Sequence, residues 1–208
     1  MARTTPGVTR RRILDEAVHL FATRGYDATS VADIQAACGL NPGSGALYKH
    51  FPSKAALLEA AVHDNLTRLT THTAETADPH LPDDPREALR VLADVVWTFM
   101  AADRDLIRLM IREFTGFPEL FERMWQGVVA TVYRRGTEWI TTLRDQGRTP
   151  VTDPEATAAV LVASLTYYPI LDVLIGHTPG DLAPDRFLAA WLDSSVAALD
   201  LRDRGPIR

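Results

Sequence analysis

The sequence predicts an all-α protein of about nine helices, in which a three-helix, N-terminal helix-turn-helix domain precedes a helical bundle. Apolar residues recur every three or four positions through most of the chain, which is the spacing of one buried helix face. Glycine and proline separate these stretches, and no segment alternates apolar and polar residues as a strand would. Together these observations favour helices joined by short breaks.

The first two helices are marked by apolar stripes and by caps. Gly25 follows the first stripe, so it predicts the end of a helix over about residues 9–24. Ser30 and Asp33 have the spacing of a capping box and predict the start of a second helix, which Gly39 ends. The apolar positions of the two stripes are Ile13, Leu14, Ala17, Leu20, Phe21, Val31, Ile34 and Cys38.

Capping residues and prolines predict the remaining helices. A short third helix ends at about His50, because Pro52 cannot donate a hydrogen bond and disfavours helical backbone at the preceding residue. Ser53 then caps a long connecting helix, and Asp84 and Asp153 each cap a helix that starts with proline. Five further helices are predicted over residues 85–102, 104–115, 118–146, 153–176 and 184–201.

Charge divides the 208-residue chain into two parts, although its net charge is −5. Residues 1–55 hold seven Lys or Arg and four acids, whereas residues 56–208 hold fifteen and twenty-three. A basic module on an acidic body is typical of a nucleic-acid-binding head. We therefore predict a helix-turn-helix DNA-binding domain at residues 1–55 and a helical ligand-binding and dimerisation domain at residues 56–208.

The single cysteine and the hydropathy pattern indicate the cellular compartment of the protein. Cys38 leaves no partner for an intramolecular disulfide, suits a reducing environment and occupies a core position of the second helix. No signal peptide is visible, and the longest uncharged run, residues 156–171, is too short and too polar to span a bilayer. These features predict a cytoplasmic protein with no membrane partner.

Residues 39–54 are the most informative stretch. The small side chains of residues 43–46 cannot pack a core deeply, and Tyr48, Lys49 and His50 follow them at once. Such a helix makes sense as a face pressed against a large anionic partner. In a helix-turn-helix, the second helix lies in the major groove of DNA while the first crosses the backbone.

These residues resemble the tetracycline-repressor (TetR) family of bacterial transcriptional regulators, over roughly residues 9–58. The resemblance implies a DNA-binding transcriptional regulator, and a ligand-responsive repressor that binds a pseudo-palindromic DNA operator as a homodimer. It also implies a dimer interface formed by the eighth and ninth helices. It rests on Arg12-Ile13-Leu14, Ala17, Leu20-Phe21, Gly25-Tyr26, Thr29-Ser30-Val31, Ile34, Gly39-Leu40, Gly45-Ala46-Leu47-Tyr48-Lys49-His50-Phe51 and Ser53-Lys54.

One departure concerns the turn before the recognition helix. Between Gly39 and Leu47 the chain has two residues more than the commonest family spacing. Two extra residues inside a helix would rotate its contact face by about 200°. We therefore expect residues 41–43 to lengthen the turn and Ser44 to begin the helix.

The DNA-contacting residues are predicted from this resemblance and from side-chain chemistry. Ser44 is suited to hydrogen-bond bases, Ala46 to contact a thymine methyl, and Tyr48 and Lys49 to bind phosphates. Leu47 and Phe51 are expected in the core. The predicted set is Arg10, Thr29, Ser30, Ser44, Gly45, Ala46, Tyr48, Lys49, His50 and Lys54.

The body is rich in large, soft side chains, which fit either a plain helical core or an apolar pocket for an unknown small-molecule inducer. Pro169 should kink its helix and free a carbonyl near Leu165. The residues predicted to bind the ligand are Trp97, Met100, Met110, Phe114, Trp125, Tyr133 and Tyr168.

Two other functions stay open at this point. One is a helical DNA-binding module without a small-molecule ligand, and the other is a helical enzyme. Against an enzyme, the sequence has no His-Glu-x-x-His motif and no clustered Cys/His pattern. We therefore predict a non-enzyme with no metal and no cofactor.

Overall fold

The computed structural model describes residues 6–41, 45, 47–76 and 81–201. Within these residues the regular structure is helical and contains no strand, which confirms the all-α class. In chain order the helices are α1 (Pro6–Arg24), α2 (Val31–Ala37), α3 (Lys54–Thr76), α4 (Pro85–Ala102), α5 (Arg104–Glu113), α6 (Pro118–Met124), a π-helical segment (Trp125–Val129), α7 (Ala130–Asp145), α8 (Pro154–Ile175), a 3₁₀ turn (Pro179–Asp181) and α9 (Pro184–Leu199).

The predicted caps are present at the helix ends. The Asp33 amide donates to the Ser30 hydroxyl (3.1 Å) and the Ser30 amide donates to the Asp33 carboxylate (2.8 Å), so both halves of the capping box form. Asp84 and Asp153 accept from amides three residues further on, at 2.7 and 3.0 Å. Gly39 follows α2 with a φ of +70°, which suits a glycine at a helix end.

Gly25 ends α1 with a left-handed backbone, beside the guanidinium of Arg112. Its φ is +96°, and an added Cβ would lie 2.9 Å from Nη2 of Arg112. We expect Gly25→Ala to lower the free energy of unfolding by about 2 kcal/mol, measured by urea denaturation.

The control for this prediction is Gly39→Ala. Gly39 has a positive φ but no atom within 4 Å of an added Cβ, so its substitution should cost about 1 kcal/mol through backbone strain alone. In an Arg112→Ala background the Gly25→Ala cost should fall to that value. If Gly25→Ala lowered the free energy of unfolding by the same amount in both backgrounds, contact with Arg112 would not be the cause.

The first of two compact units comprises the chain up to Thr71 together with Asp103–Met124. It is larger than the predicted 1–55 domain, because α1 also packs against α5. Cys38 is buried here, and burial raises the pKa of its thiol, as expected for a packed apolar residue. The largest buried side chains of this core are Ile13, Leu14, Phe21, Ile34, Leu47, Leu57, Leu58 and Leu109.

The second unit comprises His72–Ala102 and the chain from Trp125 onward. In it, α8 packs against α4, α7 and α9, so α8 is the central helix of this bundle. At Gly136, α7 lies close to α8, since an added Cβ would lie 3.4 Å from Cβ of Ala158. A small apolar cavity of about 40 Å³ remains among α4, α7, α8 and α9.

Pro169 lies inside α8, and an aromatic side chain compensates for its missing hydrogen bond. Because proline has no amide hydrogen, the Leu165 carbonyl lacks a helical donor, as the sequence predicts. Nε1 of Trp97 donates to this oxygen at 3.2 Å. Trp97 also stacks on Tyr168 and Phe187, with ring centroids 5.3 and 5.8 Å away. The turn of α8 that contains Pro169 is therefore packed in the bundle core.

The α8 helix is longer than the uncharged run that marks it in the sequence. It has 22 residues, since Asp153 caps its start and Gly176, with a φ of +76°, ends it. By length and composition alone it is sufficient to cross a membrane, so the expectation that this segment is too short is wrong. Much of its apolar surface is not covered within the protomer.

Candidate DNA-binding face and ligand cleft

The exit of the helix-turn-helix directs three polar side chains outward. The Phe51 amide donates to the Leu47 carbonyl at 2.9 Å, which closes a turn between them. Leu47 and Phe51 are buried, as predicted, whereas Tyr48 is 56% exposed and Lys49 and His50 are also exposed. The two apolar anchors thus present Tyr48, Lys49 and His50 to solvent.

Gly45 corrects the predicted start of the recognition helix. Its φ of +66° is left-handed, so it cannot be an interior residue of a right-handed helix. Its carbonyl still accepts a hydrogen bond from the Lys49 amide at 3.3 Å. A regular helix therefore does not run through Gly45, and residues 47–50 form a single turn. Both Ser44 and Ala46 lie outside the described residues.

Ser30 is exposed at the start of α2, where its capping role can be tested. We expect Ser30→Ala to lower the free energy of unfolding by about 1 kcal/mol at neutral pH. Hydrogen bonds from the side chain and backbone of Ser30 lower the pKa of Asp33. These hydrogen bonds favour the charged carboxylate, so the stability that they give the folded protein is lost as the pH falls through the folded-state pKa of Asp33.

The measurement is urea denaturation at neutral pH and below the ordinary aspartate pKa of about 3.9. The difference between wild type and Ser30→Ala should shrink in acid. Thr98→Ala, which removes an exposed hydroxyl from the interior of α4, should change stability by less than about 0.5 kcal/mol. A difference that is independent of pH would contradict the role of Asp33.

Thr29 and Lys54 are directed into the protein. Thr29 is fully buried, and its hydroxyl donates to two backbone carbonyls at 2.8 and 3.3 Å. The Lys54 ammonium donates to the carbonyls of Tyr26 (2.9 Å) and Thr29 (3.1 Å) and lies 4.1 Å from the Tyr26 ring centroid. In this conformation backbone carbonyls engage the polar groups of both side chains, and their phosphate contacts stay a prediction. Both side chains hold the loop that precedes Ser30.

The end of α1 and the same loop are held from α5 by two neighbouring charged residues. Arg112 donates to the carbonyls of Thr23 (3.4 Å) and Arg24 (3.1 Å), and Glu113 accepts from the Tyr26 amide at 3.0 Å. These contacts could not be predicted from the sequence, because bonds from a distant helix to backbone atoms leave no periodic signal.

Arg10 remains exposed on α1 near the outward-facing turn. Its guanidinium lies 5.5 Å from the Phe51 ring centroid, and Nη1 lies 3.7 Å from Oδ1 of Asp64. An exposed ion pair of this kind is weak and can exchange for another anion. Arg10 is therefore compatible with a phosphate contact.

Four of the predicted ligand-binding residues are packed, whereas a fifth, Phe114, is 47% exposed. In the first unit, Met110 and Phe114 line a cavity of only about 10 Å³, which is room for one water molecule. In the second unit, Met100 is buried, and Trp97 and Tyr168 belong to the stack beside Pro169. The plain-core reading of the sequence fits the four packed residues.

Trp125 and Tyr133 instead line an open cleft of about 590 Å³ in the second unit. Their ring centroids are 5.9 Å apart and their planes are tilted by 31°. Arg134, Glu138 and Glu155 also line the cleft. These three residues were not among the predicted ligand-binding residues, since charges on helix surfaces usually form a solvated face. A cleft of this size suits a small organic molecule.

Two protein-family models match the chain. Residues 13–61 match the bacterial regulatory proteins of the tetR family. Residues 87–198 match the C-terminal domain of AefR-like transcriptional repressors. The second match covers more than half of the chain.

Individual proteins agree with this assignment. The HTH-type transcriptional repressor KstR2 of Rhodococcus jostii (strain RHA1) is 32% identical over 150 residues, which are 65% of this chain and 72% of KstR2. The uncharacterized regulator YuxN of Bacillus subtilis (strain 168) is 32% identical over 101 residues, 49% of this chain, and the match spans only 33% of YuxN. The crystal structure of a TetR-like transcriptional regulator from Rhodococcus sp. RHA1 has the same fold, with a TM-score of 0.72, 22% identity and coverage of 95% of this chain and 99% of that one.

Regulators of this kind bind DNA operators and small-molecule ligands, usually as dimers, and are typically not enzymes. The helix-turn-helix, the helical body and both family matches agree. The chain therefore belongs to the TetR family of bacterial transcriptional regulators and is a DNA-binding regulator.

Proposed function

We propose that the protein is a cytoplasmic, ligand-responsive repressor that binds a pseudo-palindromic DNA operator as a homodimer. The observation that carries the proposal is the turn in which buried Leu47 and Phe51 present Tyr48, Lys49 and His50 to solvent. The match of the body to repressor C-terminal domains supports the sign of regulation.

Contacts within each operator half-site follow from this face. The Tyr48 hydroxyl and the Lys49 ammonium bind phosphates, which sets affinity but reads no sequence. Ser30 and Arg10 add phosphate contacts on either side. Base reading is assigned to the residues just before the Tyr48–His50 turn, around Ser44, where small side chains let the backbone approach base edges.

The homodimer is proposed to form through α8 and α9. On α8, Val160, Tyr167 and Leu174 are 67%, 60% and 42% exposed. They stand seven residues apart, so they lie on one face of the helix. On α9, Ala190 and Ala197 are exposed with the same spacing and allow close approach of a second copy. Two-fold pairing would place two heads on the two halves of a palindrome.

Ligand control is proposed to act through α3. This helix begins at the exit of the helix-turn-helix and continues past Thr71, so one element belongs to both compact units. The two heads must match half-sites about 34–36 Å apart. A ligand that favours another head spacing releases DNA, with a typical coupling of about 1–3 kcal/mol.

The test is a gel shift and footprint on the DNA upstream of the protein's own coding region. We expect protection of two half-sites related by a dyad, and loss of the shift when an effective ligand is added. A single protected half-site would contradict the dimer. Binding that no ligand alters would favour the ligand-free DNA-binding module.

A further inference from the structure

We propose that the cleft of the second unit takes an amphipathic organic monocation, with its apolar groups on Trp125 and Tyr133 and its charge toward Glu155. This inference rests on the proposed ligand responsiveness and adds the chemical class of the ligand. Four features of the cleft carry it: its size, its aromatic rings, its charge and its irregular helix.

Size separates this cleft from the other cavities described above. The cavities lined by Met110 and by Leu165 measure about 10 and 40 Å³, so they hold little more than a water molecule. The cleft measures about 590 Å³, within the range of sites for drug-sized ligands. Its walls come from α7, α8 and the π-helical segment, so helices position its side chains.

The aromatic side chains favour a cation over a neutral or anionic ligand. Trp125 is 38% exposed, which leaves part of its indole uncovered by the protein. The tilt between the Trp125 and Tyr133 rings offers two differently oriented surfaces to one apolar molecule. Ring faces carry partial negative charge, and indole attracts cations most strongly among the aromatic side chains.

The charges of the cleft leave one negative charge uncompensated. Arg134 and Glu138 form an ion pair at 4.0 Å. Glu155 is exposed in the first turn of α8 and has no ion pair with another residue in the described part of the chain. The helix N-terminus stabilises this carboxylate only in part. A monocation would complete the charge balance.

The irregular helix places the cleft at a junction in the chain. Trp125 is the first residue of the π-helical segment, and such segments occur often at functional sites. The preceding residue, Met124, packs against the core of the first unit. A ligand on Trp125 thus acts one residue along the chain from the unit that contains the helix-turn-helix.

The probes are tetraphenylphosphonium and tetraphenylborate, two ions of nearly equal size and apolar surface but opposite charge. Isothermal titration calorimetry of each probe with the full chain, at fixed ionic strength, separates charge from hydrophobic contact. We expect the cation to bind and the borate anion to bind at least about tenfold more weakly. Equal binding of both ions would overturn the proposal.

Charge variants then locate the site. Glu155→Gln should weaken binding of the cation about fivefold, as expected for a partly exposed charge pair. Arg134→Gln should tighten it, because Glu138 loses its partner and the cleft becomes more negative. Glu59→Gln, which removes an exposed carboxylate from α3, should leave it unchanged. If no variant changed the affinity for the cation, or if Glu155→Gln and Glu59→Gln weakened it equally, the cation would bind outside this cleft.

Trp125→Leu tests the aromatic contact. It should weaken binding of the cation more than it weakens binding of a nonspecific apolar dye. Thermal unfolding monitored by circular dichroism confirms that each variant is folded. Operator binding without a probe is measured in parallel. Normal operator binding together with failure of the cation to bind would reject the ligand class while leaving the proposed repressor intact.

Discussion

Val160→Glu is expected to convert the dimer into monomers and to weaken operator binding by about a hundredfold, or roughly 2.7 kcal/mol. Val160 is 67% exposed in the protomer, so a glutamate there costs the isolated chain little. In the proposed α8–α9 interface the same carboxylate would be buried without a partner, which costs several kcal/mol. A monomer carries one head and gains contacts with one half-site only.

Sedimentation velocity at micromolar concentration measures the first effect, and fluorescence anisotropy with labelled operator measures the second. The matched control is Thr98→Glu, which adds the same charge at an exposed position of another helix, α4. It should remain dimeric and bind DNA normally. A Val160→Glu variant that still sediments as a dimer would move the interface away from this face.

Operator affinity is expected to fall by about three decades between roughly 50 and 200 mM salt. The body of the protein is acidic, so attraction to DNA must come from the basic head, where Arg10 and Lys49 are exposed. Each phosphate contact releases condensed counterions, and two heads double their number. The logarithm of the affinity, plotted against the logarithm of the salt concentration, gives the slope. A flat plot would contradict binding through phosphates.

Local signals allowed most of the fold to be predicted. The capping box of Ser30 and Asp33, the glycine ends at Gly25 and Gly39, and the caps at Asp84 and Asp153 depend on residues a few positions apart. The structure shows each of them. The long helix predicted over residues 118–146 contains one irregularity, the π-helical segment, which apolar periodicity did not reveal.

The details of the site depend on contacts between distant residues, and there the predictions were weaker. The family resemblance assigned Lys54 to a phosphate, but its ammonium is held by the Tyr26 and Thr29 carbonyls, which no local pattern encodes. Large soft side chains such as Trp97 and Met100 satisfy a core and a pocket equally well in the sequence. Only their packing distinguishes them from Trp125, which lines the cleft.

The central claim is that the Tyr48–His50 turn binds DNA, and one titration tests it most directly. Wild type, Lys49→Ala and Arg144→Ala are titrated into labelled upstream DNA and into a shuffled duplex, at one salt concentration. Arg144 is an exposed cation on α7, so its loss matches the change in net charge without touching the head. We expect Lys49→Ala to weaken binding to both duplexes about a hundredfold, in line with the loss of a charged hydrogen bond of about 1.5 kcal/mol in each of the two heads, and Arg144→Ala to bind as wild type does. Equal affinities for wild type and Lys49→Ala would contradict the placement of DNA on this face.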